Sequence, residues 1–261
     1  MAYQFVAALF LVGMISVSSL SSTTHPAWAE TLVQSTVDSR IVVALRVGQS
    51  ELQNRLPASW QVNAIATGPS KEANLLVTFV DRMLDQDAEG KPAAVGAYRV
   101  VALAVPAKHP QTGESAPFLI RIFNSSPQGV PGFYKVGVQA TVRREQTLKG
   151  AGAEPGAGGE VWEMRDTAGG MIELRVQYQR AIPSRAKVES KPHSAVEPTL
   201  FRIYRIDQGV DVVKSIPAGI DRVQSYQLRV TVPELRKLFD GTEQLVSISV
   251  LPWYVRQTFL P

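Results

Sequence analysis

The sequence predicts an all-β fold with minor α content, arranged as an antiparallel, barrel-like sheet with short peripheral helices. Runs of β-branched and aromatic residues recur between clusters of Gly, Pro, Asn and Asp, a pattern typical of strands joined by turns. Residues 174–179 alternate strictly between apolar and polar side chains, as in a strand with one buried face. Since no helical pattern is long enough to connect parallel strands, antiparallel pairing is expected.

The predicted elements are numerous strands and two short helices. In chain order the strands cover residues 40–47, 74–82, 98–105, 118–123, 133–143, 160–165, 171–179, 200–206, 210–216, 225–232 and 244–251. The helices cover residues 51–55, after Ser50 as a cap, and residues 234–239, after Pro233. Two stretches rich in glycine or proline, residues 150–159 and 183–198, are predicted to be exposed loops. These strands are enough to close a barrel.

The N-terminal segment, residues 1–29, has the character of a secretory signal peptide. It contains no charged side chain, and an apolar stretch at residues 5–17 precedes the small-residue site Ala27-Trp28-Ala29. The apolar run is shorter than the roughly 20 residues of a spanning helix, so no membrane span is expected after cleavage. We therefore predict a periplasmic or secreted protein whose single domain covers residues 30–261.

The composition argues against several classes of partner and cofactor. The formal charge is +4, but Lys and Arg are interspersed with Asp and Glu, so no nucleic-acid partner is expected. Cysteine is absent, and packing alone must hold the fold. His109 and His193 lie far apart in Pro-flanked segments, which predicts solvated loop histidines and no metal site. No cofactor is predicted.

One region of the sequence resembles a known family. An apolar strand at residues 75–81 is followed by a strand ending at Val105-Pro106, a polar loop, an apolar strand at residues 118–123 and the run Gly-Phe-Tyr-Lys at residues 132–135. This order resembles the acetoacetate decarboxylase superfamily. The opening strand, short helix and Leu56-Pro57 step are similar to that family as well.

The resemblance implies a candidate active site. Lys135 matches the lysine that forms a Schiff base with a β-keto acid in this family, which makes it the candidate catalytic residue. Arg40 lies within a residue or two of the family's substrate-carboxylate arginine, and Phe133 and Tyr134 are the implied substrate-binding neighbours. The implied partner is a small-molecule carbonyl or carboxylate ligand. The sequence makes no prediction of the oligomeric state.

Two departures from the family pattern bear on catalysis. The family's second lysine falls at Val136, and its active-site glutamate has no counterpart in the wholly apolar segment 101–105. A neighbouring cation activates such a lysine, so without it only burial could keep an amine at residue 135 neutral. Strand alternation places Lys135 on the face opposite Tyr134. That face would be exposed to solvent in a sandwich, whereas it would point into the lumen of a barrel.

Three functional hypotheses stay open from the sequence. The first is a decarboxylase-like lyase that acts on a small keto acid through a Schiff base at Lys135. The second is a non-catalytic periplasmic barrel that binds a small molecule and has lost the family's lysine pair. The third is an envelope structural protein that binds no small ligand.

Overall fold

The computed structural model of the protein describes residues 30–93, 96–150 and 155–261. The predicted signal segment, residues 1–29, and part of the predicted glycine-rich loop lie outside these ranges. Among the described residues, no helix has the length and apolar character needed to cross a membrane.

Strands dominate the described chain. The strands are β1 (Thr31–Arg46), β2 (Gln61–Val62), β3 (Leu75–Gln86), β4 (Tyr98–Lys108), β5 (Ser115–Asn124), β6 (Gly137–Lys149), β7 (Ala157–Asp166), β8 (Met171–Gln179), β9 (Ser184–Ser190), β10 (His193–Ser194), β11 (Ile203–Ser215), β12 (Ile220–Asp221), β13 (Val223–Val230) and β14 (Gln244–Leu260). Helix α1 (Gln49–Gln53) and two 3-10 turns, Pro127–Gly129 and Pro233–Leu235, complete the elements. The predicted β fold with minor helix is confirmed.

The strands form one large mixed sheet. Its main path runs β12-β11-β14-β1-β3-β4-β5-β6-β7-β8-β13, and its two end strands are not paired with each other, so the sheet is not closed. Most neighbours are antiparallel, but β5 pairs with both β6 and β10 in parallel, which corrects the expectation of a purely antiparallel sheet. Residues 125–136 connect β5 to β6, and about a dozen residues is the length that a parallel connection requires.

Several predicted boundaries are wrong for identifiable reasons. The predicted loop at 183–198 contains β9, a polar edge strand paired with β11, and β10, which pairs with β5. Glycines at residues 158 and 159 pair with β6 and belong to β7 instead of a loop. The predicted strand at 133–143 begins only at Gly137, because Gly132 and Lys135 have positive φ values of 68° and 58°, which turn the chain out of an extended conformation.

The apolar core lies on one face of the curled sheet. Alternate residues of β1, namely Ile41, Val43 and Leu45, are buried there, and so is Phe79 of β3. The Phe79 ring packs 5.7 Å from the Trp162 ring of β7, which joins the two halves of the sheet. Burial of such side chains supplies the main favourable free energy of folding.

We expect Phe79→Ala to lower the free energy of unfolding by about 3–5 kcal/mol, because it removes a fully buried ring and leaves a cavity. Ile182→Ala, at a side chain that is 87% exposed, serves as the control and should change stability by less than about 0.5 kcal/mol. Urea unfolding followed by tryptophan fluorescence measures both. Equal losses in the two variants would contradict this assignment of the core.

Candidate functional site

Two irregularities in strand register create a polar face beside the apolar core. Pairing of β1 with β3 shifts by one residue at Val37/Asp38, and pairing with β14 shifts between Asp38 and Arg40. A one-residue shift moves the following side chains to the opposite face of a strand. In β14, for example, Ile248 faces the core, whereas Arg256 lies opposite Thr36 of β1 on the other face.

We call this surface the polar face. Its members share a single side of five adjacent strands, and most of them are buried. They are Gln34, Thr36, Asp38 and Arg40 of β1, Arg82 and Asp85 of β3, Tyr98 of β4, Tyr204 of β11, and Tyr254, Arg256 and Thr258 of β14.

Asp38 is the central charge of the polar face. Its side chain is 0% exposed, it accepts a 2.9 Å hydrogen bond from Arg82 Nε, and it forms an ion pair with Arg40. The Arg40 guanidinium also lies 3.4 Å from the centroid of the Tyr254 ring. Burial opposes ionisation of Asp38, but the attraction of Arg82 and Arg40 outweighs it and holds the pKa of this carboxyl below its usual value.

A chain of hydrogen bonds extends from Arg82 across the polar face. Arg82 Nη1 donates to the Tyr98 hydroxyl at 2.6 Å, and that hydroxyl donates to Asp85 at 3.0 Å. Gln34 Nε2 donates to the other Asp85 oxygen at 2.7 Å, and Gln34 Oε1 accepts from Arg256 Nη2 at 3.1 Å. Four strands are therefore connected by one network, which fixes the orientation of its side chains.

The turn between β5 and β6, residues 130–136, lies over one end of the polar face, and we call it the cover turn. Its Tyr134 is buried and donates a 2.6 Å hydrogen bond to the Tyr204 hydroxyl. Burial, followed by the neighbouring Tyr204, raises the pKa of Tyr134 well above its usual value, so the phenol stays protonated. Ser194 of β10 holds the turn in place by donating to the Tyr134 carbonyl oxygen at 2.6 Å.

A cavity of about 420 Å³ opens between the cover turn and the polar face. The polar face contributes Gln34, Asp85 and Tyr98 to its wall, and the cover turn contributes Gly132 and Phe133. A cavity of this size accommodates a small organic molecule. The walls that the described residues form include no lysine.

The structure places the four residues predicted for the site in different surroundings. Phe133 lines the cavity and stacks under the Arg202 guanidinium at 3.5 Å, Tyr134 is buried beside it, and Arg40 lies on the polar face. Lys135 is exposed at the outside of the cover turn, with a backbone φ of 58°. Its side chain makes no hydrogen bond or ion pair with the rest of the described chain.

The two histidines of the predicted mature chain lie in aromatic surroundings. The prediction of a solvated loop histidine is wrong for His193, which is buried and stacked between Phe118 and Phe201 at centroid distances of 5.3 and 4.8 Å. His109 is half-buried against Trp60. Within the described ranges, no group of three or more His, Cys, Asp or Glu side chains is placed to hold a metal ion.

Sequence reasoning missed the charged residues that organise the site, above all Asp38, Arg82 and Arg256. The available signal is their position inside strands that are otherwise largely apolar, where an unpaired charge is costly. Their association was not predictable, because it depends on which strands become neighbours.

Comparison with known proteins establishes the class of fold. No family model and no curated protein matches the sequence. Among solved structures, an acetoacetate decarboxylase-like enzyme from Sphingomonas wittichii RW1 is similar at 11% identity, with a TM-score of 0.56 over 94% of this chain and 96% of that chain. The enduracididine biosynthesis enzyme MppR, complexed with pyruvate, is similar at 10% identity, with a TM-score of 0.58 over 95% and 96%.

Acetoacetate decarboxylase from Legionella pneumophila is similar at 12% identity, with a TM-score of 0.54 over 98% of each chain. The chain therefore has the acetoacetate decarboxylase-like fold along nearly its whole length, and the resemblance noted in the sequence is confirmed at the level of the fold.

We expect Asp38→Asn to lower the free energy of unfolding at pH 7 by about 3 kcal/mol, because it removes the carboxylate that pairs with Arg40 and leaves Arg82 with only the more distant Asp85. The control Glu145→Gln removes one partner of an exposed ion pair with Arg143 and should cost at most about 1 kcal/mol. Urea unfolding at pH 7 compares the variants, and equal effects would contradict a central role for Asp38.

The same carboxyl predicts a pH dependence. Because the pKa of Asp38 is lower in the folded than in the unfolded chain, its contribution is present above the ordinary aspartate value near 3.9 and is lost as the pH falls through the lowered value. Below about pH 4, the wild type should therefore lose stability more steeply than Asp38→Asn. Parallel slopes in acid urea titrations would show that Asp38 does not contribute this linkage.

Proposed function

We propose that this acetoacetate decarboxylase-like protein binds a small carbonyl or carboxylate compound non-covalently in the cavity beneath the cover turn. The observation that carries the proposal is the arrangement of the turn. Tyr134, and not Lys135, is the side chain that the cover turn buries against the polar face. A Schiff base requires an amine at the cavity, whereas a phenol forms only hydrogen bonds.

The cavity wall offers hydrogen-bonding groups to a ligand. The charged side chains that line it are Asp85 and Asp87, and Arg202 lies over the ring of the lining residue Phe133. Both Asp85 oxygens accept hydrogen bonds within the network, and Asp87 accepts from backbone N–H groups of its own turn. Gln34 and Tyr98 are therefore the lining groups best suited to contact the polar end of a small carbonyl compound.

The pyruvate complex of MppR supports the choice of probe. That enzyme has a similar fold and binds a compact keto acid, and a cavity of about 420 Å³ is ample for a molecule of this size here. We therefore use pyruvate and acetoacetate as test ligands.

A second candidate function is the Schiff-base enzyme. It is favoured by the position of Lys135 in the same turn as Tyr134, two residues after the cavity-lining Phe133. This reaction would require the turn to rearrange so that the amine reaches the cavity.

We expect pyruvate to raise the melting temperature of the protein in a dose-dependent manner, since a ligand that binds only the folded state stabilises it. Gln128→Trp should abolish the rise without lowering stability, because this exposed side chain lines the cavity and a larger one would fill it. Lys135→Ala and the surface control Lys237→Ala should both retain the rise. If no small carboxylate in a panel has an effect, the structural-protein hypothesis takes precedence.

Borohydride trapping separates binding from catalysis. We expect no stoichiometric adduct after incubation with acetoacetate and reduction, and scattered labelling at most, because Lys135 is exposed and apart from the cavity. Peptide mass mapping measures the modified site. A stoichiometric adduct at Lys135 that disappears in Lys135→Ala, together with carbon dioxide release, would replace our proposal with the decarboxylase.

Export is a separate proposal, which rests on the uncharged segment 1–29 and its Ala27-Trp28-Ala29 site. The mature domain would begin at Glu30 and act in the periplasm or outside the cell. Mass spectrometry of the protein from the exported fraction should find Glu30 at the N-terminus, and an intact segment 1–29 would contradict cleavage.

A further inference from the structure

A second cavity, of about 300 Å³, lies at one end of the apolar core, and we call it the core-end cavity. Ser39 of β1 and Asp81 of β3 are paired in register and line this cavity, on the face of the sheet that carries Phe79. Their chain neighbours Asp38 and Arg82 lie on the polar face, because successive strand residues point to opposite faces. The core-end cavity is therefore separate from the cavity beneath the cover turn, and the two share no described lining residue.

The hydroxyl group of Tyr178 is a hydrogen-bond donor without a protein partner at this cavity. Tyr178 of β8 lines the cavity and is only 1% exposed, and its hydroxyl makes no hydrogen bond with a described residue. The ring lies against Gly158 of β7, where a Cβ atom would come within 2.6 Å of it. Burial, followed by the charge of Glu160, raises the pKa of Tyr178, so the phenol keeps its proton. Buried polar groups are rarely left unpaired, and a phenol left so at a cavity suits an acceptor that a ligand supplies.

Arg180 supplies a cation at the same cavity. The charged side chains that line the cavity are Asp81, Arg144, Arg180 and Asp211. Within the described chain, Arg180 is the one among them that makes no ion pair. Its Nη1 donates to the carbonyl oxygen of Pro155 at 2.9 Å, which leaves Nε and Nη2 available to a second acceptor. Its guanidinium is close enough to Tyr178 to act on the pKa of that phenol.

Carboxylates near the cavity are already engaged within the protein. Asp81 and Asp211 each pair with at least one guanidinium group. Glu160, whose charge acts on Tyr178, accepts four hydrogen bonds from neighbouring side chains. The groups that remain for a ligand are therefore donors, namely the Tyr178 hydroxyl and the Arg180 guanidinium.

Exposed apolar side chains border the rest of the cavity. Met83 of β3 and Leu148 of β6 are 50% and 55% exposed, and both line the cavity together with Val250 and Pro252 of β14. Large apolar side chains that are exposed together, beside polar groups, are typical of a surface that binds a ligand. The cavity thus combines a polar end with an apolar end.

We infer that the core-end cavity binds a short aliphatic monocarboxylate, with its carboxylate at Tyr178 and Arg180 and its hydrocarbon chain against Met83 and Leu148. The hydroxyl and the guanidinium donate to the two carboxylate oxygens. The hydrocarbon chain removes the apolar side chains from water. A volume of about 300 Å³ is at the lower end for ligand pockets, so we choose hexanoate as the probe. This site is additional to the proposed function and does not depend on it.

Calorimetric titration with hexanoate and melting without ligand test the inference. Affinity should rise about fourfold for each methylene group from butanoate to hexanoate, the effect of burying a methylene. Tyr178→Phe should weaken hexanoate binding about tenfold, as expected when a hydrogen bond to a charged group is lost. Its ligand-free melting temperature should stay unchanged, because the hydroxyl makes no hydrogen bond with a described residue. Arg180→Gln should weaken binding about tenfold as well, whereas the control Arg175→Gln, at an exposed side chain of β8, should not.

Gln128→Trp distinguishes the two cavities, because it fills only the one beneath the cover turn. This variant should bind hexanoate as tightly as wild type. If it abolishes hexanoate binding, hexanoate occupies the cavity beneath the cover turn, and the inference is wrong while the proposed function stands. Equal affinity of wild type, Tyr178→Phe and Arg180→Gln would overturn the inference, and so would a clear loss of ligand-free stability in Tyr178→Phe. Absence of hexanoate binding to wild type would also overturn it, without bearing on pyruvate binding.

Discussion

The separation of the apolar core from the polar face depends on the register shifts on both sides of Asp38. Without them, the alternation that buries Phe79 and Ile248 would continue along β3 and β14, and Asp85 and Arg256 would face the apolar core. The shifts let the same strands serve an apolar core over one part of their length and a polar face over the next. Both shifts lie next to Asp38, one in the pairing of β1 with β3 and the other in the pairing of β1 with β14. The polar side chains of β3 and β14 therefore lie on the same face as Asp38.

Burial of charged side chains has a desolvation cost, which the structure offsets by ion pairs at one place and by a hydrogen-bond network at another. Arg144 and Glu160 are buried as a bidentate pair with further hydrogen bonds to Ser39 and Asp81, so their desolvation is compensated within the protein. Arg256 makes no ion pair with a described residue, but it donates to Gln34, its guanidinium lies over the Tyr204 ring, and its charge helps to lower the pKa of Asp38. Its charge is therefore offset by the network of the polar face and not by a single partner.

The sequence was sufficient for the class of fold because strand alternation is a local property. Residues 174–179 alternate in the chain, and Leu174 and Tyr178 are buried as that pattern predicts. The polar face was not predictable, because Asp38 and Arg256 are distant in the chain and meet only through pairing and register. Lys135 illustrates the same limit. The predicted side of Lys135 assumed a continuous strand from residue 133, whereas the positive φ values of Gly132 and Lys135 make the residues before Gly137 a turn.

The burial of Tyr134 determines which chemistry the site can perform. A lysine in a desolvated site loses its proton readily and can attack a carbonyl, whereas burial raises the pKa of a phenol and keeps it neutral. A neutral phenol held by the hydrogen bond to Tyr204, in a turn held by Ser194, can form hydrogen bonds to a ligand but has no nitrogen with which to form an imine. Under the proposed function, the cavity provides shape and hydrogen-bonding groups for non-covalent recognition, and a covalent reaction would require the cover turn to rearrange so that Lys135 reaches the cavity.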